Sequence, residues 1–325
     1  MGLLDRIGKI VFGEGGASAP SSPSYSAPPP SYGGGVQYSL SFPSGSTIVL
    51  SLTESGYRQL ESRGKRSFLK RCPKDKLISM IDTAINYQSL EEIAERYSIC
   101  DSADFSDLHL DAIKTALRST VDVLYDYPRL RSKTCYIGSA QGYRRKLESL
   151  RCGSVATLKD LGIEYICSPS QVKQLGALMV ELADSYLVDN SSFIALAIDA
   201  FGLFDALVLD ADDYKGYKYR QTLDGLKYGE SSGFHPKGCD SPESAVYHEL
   251  GHLLDYLCHL NSNGMERLYC SYTRRDIERG LSQYGATSAY EFFAEAFAEA
   301  RCNQYPRDIA NRAMLLLKDG YARVR

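Results

Sequence analysis

Tyr247-His248-Glu249-Leu250-Gly251-His252-Leu253-Leu254-Asp255 is the stretch on which the reading of this 325-residue chain turns. It contains the pattern H-E-x-x-H. On an α-helix, positions i and i+4 lie one above the other, so His248 and His252 can grip one metal ion. Glu249 is turned by ~100° around the helix from His248, close enough to reach a water on that ion without being a ligand. The flanks support a helix: Ser241 suits its cap, Pro242 its first turn, and Glu243 the positive end of its dipole. Leu253, Tyr256, Leu257 and Leu260 then continue an apolar face. Three of the five histidines fall between His248 and His259, so this residue type is concentrated where a site is expected.

A catalytic zinc site usually has three protein ligands and one open position, which leaves one ligand to find. Cys258 and His259 are near candidates, but residues 253–260 read as continuing helix, with no glycine to turn the chain back. The stronger candidate is Ser288-Ala289-Tyr290-Glu291-Phe292-Phe293-Ala294-Glu295-Ala296-Phe297-Ala298-Glu299. Glu291, Glu295 and Glu299 recur on one helical face. Like charges at i, i+4 repel, so the helix gains nothing from them unless that face meets a cation and a histidine. Glu291 can ligate the metal, and Glu295 can accept the free ring N–H of a liganding histidine, which fixes the ring and raises its basicity. The alternative for Glu291 is a capping-box residue reaching back to Ser288, and for Glu299 an exposed face.

Taken together, His248-Glu249-x-x-His252 and Glu291-Phe-Phe-Ala-Glu295-Ala-Phe resemble the gluzincin metallopeptidases. The similarity is to the anthrax lethal factor-type catalytic domain and to zincin-like domains encoded by phages and prophages. It implies an α+β, zincin-like catalytic domain: a small mixed sheet, an active-site helix and a second, Glu-bearing helix. It implies Zn²⁺ held by His248, His252 and Glu291, with Glu295 behind a liganding histidine. It also implies a catalytic role for Tyr284, at the offset of the family tyrosine whose hydroxyl faces the metal-bound oxygen; Tyr290 is an alternative nearer in sequence. Gly233-Phe234-His235-Pro236-Lys237-Gly238 is similar to the phage-encoded members in particular. There His235 reads as a turn residue that could also reach the cleft. The resemblance covers residues 190–305 well and 105–190 only by helix pattern; 1–100 has no counterpart.

The implied activity is hydrolysis of peptide bonds in a peptide or protein substrate by a zinc-activated water, with Glu249 as general base. An edge strand beside the site, Phe193–Ile198 or Ala206–Asp210, would pair with the extended substrate. Two other classes fit the same residues: a phage or prophage structural or morphogenesis protein carrying a zincin domain, and a zincin effector or toxin.

The remaining sequence sets the expected frame. Hydrophobic content of 44%, charged content of 24% and a net charge of −3 are those of an ordinary globular protein. Nine cysteines without a C-x-x-C pair make a poor disulfide framework, so reduced thiols are expected. The apolar start Leu3-Leu4 is interrupted by Asp5, Arg6 and Lys9, which is not a secretory signal. A cytoplasmic location is expected, or delivery to a host or target cell without a Sec signal, with virion association under the phage reading.

Three regions follow. Residues 1–45 hold an amphipathic segment at 2–12, a candidate for docking on a membrane surface or a partner, and then a flexible Pro/Ser/Gly linker. Residues 46–100 form a small, mostly helical region. It has a strand at Thr47–Leu52 and helices near 54–62, 74–87 and 89–97, the last with Ser89 and Glu92 at capping-box spacing. Residues 101–325 form the zincin-like domain. It includes a helix through Leu110, Ile113, Leu117, Val121 and Leu124 that stops before Pro128, and another opened by Ser168-Pro169. Basic residues cluster between Arg63 and Lys76, but Phe68 is the one aromatic among them. A solvated face is expected there, and no nucleic-acid partner.

Overall fold

The computed structural model describes residues 36–41, 47–52, 62–152, 195–198, 205–210 and 216–324, with scattered positions at 58–59 and between 170 and 180. The amphipathic segment at 2–12, the linker at 14–35, the helix at 54–62 and the helix opened by Ser168-Pro169 lie outside the described residues, the last two in large part.

In chain order the elements begin with β1 (Val36–Ser41) and β2 (Thr47–Leu52), then α1 (Lys74–Thr83) and α2 (Tyr87–Arg96). Next come β3 (Ser102–Asp104), α3 (Leu110–Asp126), a short 3₁₀ helix (Pro128–Lys133), β4 (Tyr136–Ser139) and α4 (Ala140–Cys152). There follow β5 (Ala195–Ile198), β6 (Ala206–Leu209), α5 (Gly216–Ser231) and α6 (Pro242–Cys258). The last elements are α7 (Glu266–Cys270), α8 (Arg274–Gly280), α9 (Ala289–Cys302) and α10 (Asp308–Arg323). The fold is mixed α+β and mostly helical, with a four-stranded mixed sheet.

Contacts divide the chain into two compact units. One holds β1, β2 and α4; there β1 and β2 pair antiparallel, with Val36 opposite Leu52 and Ser41 opposite Thr47. The other comprises Ser67–Ser139, Phe193–Ala200 and Phe204–Arg325. Residues 67–100 therefore pack with the helices that follow them rather than as a region apart.

In that second unit the sheet order is β3-β4-β6-β5. β3, β4 and β6 run parallel, and β5 returns antiparallel to β6, with Ala195 opposite Leu209 and Ile198 opposite Ala206. β4 and β6 are buried along their whole length, as the unbroken apolar run Ala-Leu-Val-Leu of β6 requires. Among the described residues β3 and β5 lie at the two edges, and the two central residues of β5 are half exposed. Both strands expected in this part of the chain form. β3 and β4 were not expected, because they are too short and too mixed in composition to carry a period of their own.

The helices follow local signals with small shifts. α1 ends at Thr83 rather than near 87, with Ala84 extended. α2 starts two residues before Ser89. Asn86, in extended backbone, accepts from Ser89 N at 2.9 Å and takes the cap that the Ser89–Glu92 spacing had suggested. α3 buries Ile113, Leu117, Val121 and Leu124. Phe68, the aromatic of the basic run, is buried against the edge of Tyr125 instead of facing outward. α6 lies at the centre, packed against α9, α3, β5 and α10 through Val246, Leu250, Leu253 and Leu254. Phe292, Phe293 and Phe297 of α9 are fully buried, each contributing on the order of 2–3 kcal/mol by leaving water.

Candidate metal centre

α6 begins at Pro242 as expected. Its Ser241 cap is in extended backbone but makes no side-chain bond to the helix; instead the Ser244 hydroxyl donates to Ser241 O at 2.6 Å. The helix ends at His259, which takes the left-handed conformation common just past a helix end and sits exposed on the surface. Cys258 closes the last turn in a buried position, where burial and Asp255 push its thiol up to about 12. Neither residue joins the histidine pair.

Glu291 does. Helix α9 is capped by Ser288, whose side chain accepts from Glu291 N at 3.2 Å. The backbone half of a capping box thus forms, while the Glu291 carboxylate turns to α6. His248 Nε2 lies 3.0 Å and His252 Nε2 3.4 Å from Glu291 Oε2, and the two Nε2 atoms are 3.1 Å apart. This is a group that could hold a metal ion. Donors bound at ~2.0–2.1 Å in a tetrahedron stand ~3.3 Å from one another, and the observed triangle has those edges. Glu291 Oε2 is buried and has no hydrogen-bond partner among the described residues, so an ion at this position would satisfy it. Burial alone would raise the Glu291 carboxyl, but His252 and His248 outweigh it and hold the group well below the usual carboxylate range. His248 shows the reverse balance: burial opposes its charge, and Glu291 and Glu295 raise its pKa well above the ordinary value.

Glu295, one turn along α9, is buried, and its Oε1 lies 2.9 Å from His248 Nδ1. With Nε2 turned to the ligand triangle, Nδ1 is the nitrogen left to donate. Glu295 Oε2 accepts from Ser282 Oγ at 2.8 Å, and His235 Nδ1 stands 3.5 Å from Oε1. Burial would raise the Glu295 carboxyl; His235 and His248 bring it down to about 2. On the other histidine, His252 Nδ1 is buried with no hydrogen-bond partner among the described residues. Glu299, the third carboxylate of the row, is not on an exposed face. It is fully buried and paired with Arg307, whose Nη2 lies 2.7 Å from Oε2 and whose backbone N donates to Oε1.

Glu249 sits one position round the helix, as its offset implies. Its Oε2 accepts from Ala197 N of edge strand β5 at 2.7 Å. Burial raises its carboxyl, offset in part by His248, His252 and that amide. Tyr284 is buried and stacks on His248, with ring centroids 5.5 Å apart and planes at 23°. Burial, then Glu291, Glu249 and Glu295, push its hydroxyl well above the usual value, which keeps it protonated. Tyr290 is half-buried in the first turn of α9, which Glu291 also occupies.

Two features of the site were not legible in the sequence. Gly251 is one: a Cβ there would stand 3.1 Å from Ala294 Cα and 3.3 Å from Phe297 Cβ, so its absence lets α6 and α9 close up. The other is Ser282, whose loop approach to Glu295 no spacing announces; His235, the turn residue that could reach the cleft, stands at the same carboxylate.

Comparison with protein-family models, with characterised proteins and with solved structures returned no match. The functional reading therefore rests on the geometry of the site itself.

Proposed function

We propose that this protein is a zinc-dependent metallopeptidase of the gluzincin type. The observation that carries the reading is the convergence of His248 Nε2, His252 Nε2 and Glu291 Oε2 from two helices at tetrahedral spacing. A zinc ion bound there would supply a Lewis acid and a water acidified towards pKa ~7. Glu249, half-buried and with a raised pKa, is suited to take a proton on a side-chain oxygen and return it to the leaving amine. Tyr284, kept protonated by its surroundings, is suited to donate its hydroxyl hydrogen to the oxyanion that develops on the scissile carbonyl. Glu295 holds the His248 ring through Nδ1.

The sheet order supports one choice for the substrate strand. β6 is paired on both sides, by β4 and β5, whereas β5 has β6 on one side only among the described residues. Ala197 turns its N–H away from β6 and towards Glu249, on the side where an extended peptide would add. β5, rather than Ala206–Asp210, is thus the strand offered to substrate.

The test is a diverse peptide library incubated with the purified protein, with and without a chelator. The wild type should carry zinc and cleave. Glu249→Gln should retain zinc and lose activity by ~100-fold or more, the scale of general base catalysis. His252→Ala and Glu291→Ala should lose zinc, measured by elemental analysis. Full activity in Glu249→Gln would sink the assignment. An unchanged metal load in Glu291→Ala would remove Glu291 from the ligand set.

A further inference from the structure

The Gly233–Gly238 loop takes no part in the ligand triangle, yet it is tied to the site at three points. Gly233 O accepts from Gln283 N at 2.9 Å, and Phe234 O accepts from Tyr284 N at 3.1 Å. The Phe234 ring stacks on Tyr284, with centroids 5.7 Å apart and planes at 20°. The third point is His235, whose Nδ1 faces Glu295 Oε1.

His235 is held for that contact. Its backbone N donates to Gly229 O at 3.0 Å, and its ring lies over Gly229, where a Cβ would meet His235 Cδ2 at 2.6 Å. A side chain at 229 would displace the imidazole. The ring also stands edge-on to Phe234 and Tyr284.

A buried carboxylate must have its charge answered by donors. Glu295 is only 2% exposed, and the groups facing it are His248 Nδ1, His235 Nδ1 and Ser282 Oγ. His248, with Nε2 turned to the ligand triangle, meets the carboxylate through Nδ1, and His235 Nδ1 and Ser282 Oγ meet it from two loops. Resting on the metal-centre reading above, we propose that His235 is a positioning residue for the metal site. It anchors the Glu295 carboxylate that orients His248, and it acts by donating from Nδ1 rather than by filling space.

Two substitutions separate donation from packing. His235→Asn places an amide N–H where Nδ1 was but gives up the ring. His235→Phe keeps the ring and removes the donor. Zinc affinity is measured by competition with a chelating dye, in the wild type and each variant and again in a Glu295→Gln background. Folding is followed in parallel by circular dichroism. Partners behind a liganding histidine commonly contribute ~10–100-fold in metal affinity, and His235→Phe should lose at least the lower end of that range. His235→Asn should stay within a few-fold of wild type, and in Glu295→Gln the Phe substitution should add little. The opposite order, Phe retained and Asn lost, would make His235 a packing residue and overturn the proposal. So would wild-type affinity in both variants, or a full additional loss from Phe in Glu295→Gln. If the wild type itself takes up no zinc, the metal-centre reading falls first. If wild type binds and His235→Phe binds equally well, only the role of His235 is lost.

Discussion

Asp255 shows how much one carboxylate can cost when it is buried beside a functional helix face. It is 2% exposed, its Oδ1 accepts from Asn261 N at 3.0 Å, and its Oδ2 has no hydrogen-bond partner among the described residues. Burial pushes its pKa from 3.8 up to about 6, against the opposing pull of the Asn261 amide and His252. A raised carboxyl pKa means that the folded state binds the proton more tightly than the unfolded one. The cost is therefore full above pH 6, shrinks as pH falls through the window from 6 to 3.8, and vanishes below it. Asp255→Asn should stabilise the chelated protein at pH 8 by ~2–3 kcal/mol and leave it unchanged near pH 3.5. Thermal melts at both pH values, in a chelator, check this; an equal gain at both would refute the burial account. Glu291 is the contrasting residue at this scale. The sequence left it between cap and ligand; its backbone N–H donates to Ser288, while its carboxylate lies against the histidines instead of reaching back to the cap.

At the scale of elements, the decisive contact is that of α6 with α9. The histidines on one helix and the glutamates on the other are useful only if the axes approach closely, and Gly251 against Ala294 and Phe297 permits it. Gly251→Ala introduces a methyl at 3.1 Å from backbone that cannot swing aside. Two effects oppose each other: alanine favours the helix by ~1 kcal/mol, and overpacking a core costs ~1–3 kcal/mol. Overpacking should win or balance in stability, and zinc affinity should fall in either case because Glu291 moves away from His248 and His252. Titration of the variant against a chelating dye reads this directly; unchanged affinity would mean that the helix spacing is not critical. Helices α1, α2, α3, α6 and α9 were legible, because caps and apolar stripes act over a few neighbouring residues, whereas α4, α5, α7, α8 and α10 were not expected. β3 and β4 were not, because Ser102–Asp104 and Tyr136–Ser139 are mixed in composition and hold no apolar run like the Ala-Leu-Val-Leu of β6.

On the scale of the whole unit, several elements are joined by charged groups in addition to the apolar core. Asp122 on α3 meets Lys74 at the start of α1, Tyr247 on α6 and Arg301 on α9. Arg307, just before α10, reaches Glu299 on α9 and the carbonyl of Arg279 on α8. A metal held between α6 and α9 would add a cross-link to this frame. Free zinc at about a thousand times its dissociation constant should stabilise the fold by ~4 kcal/mol. For a unit of this size that raises Tm by roughly 10 °C. The shift should be absent in His252→Ala, and melting curves with and without chelator measure it.

The sequence by itself determined what backbone geometry dictates within a few turns. His248 and His252 share a helix face, Glu249 stands beside them, Ser288 caps α9, and Glu291 and Glu295 follow one another along its side. Tertiary structure alone decided that Glu291 meets the histidines, that Glu249 rests against Ala197, that β5 rather than β6 lies at an edge of the sheet among the described residues, and that His235 stands behind Glu295. The physical reason is range. Helix periodicity and capping are properties of adjacent residues, whereas these contacts join segments far apart in the chain. Their distances are set by side-chain volume where helices and loops pack, as the missing Cβ at Gly251 shows for the approach of α6 to α9.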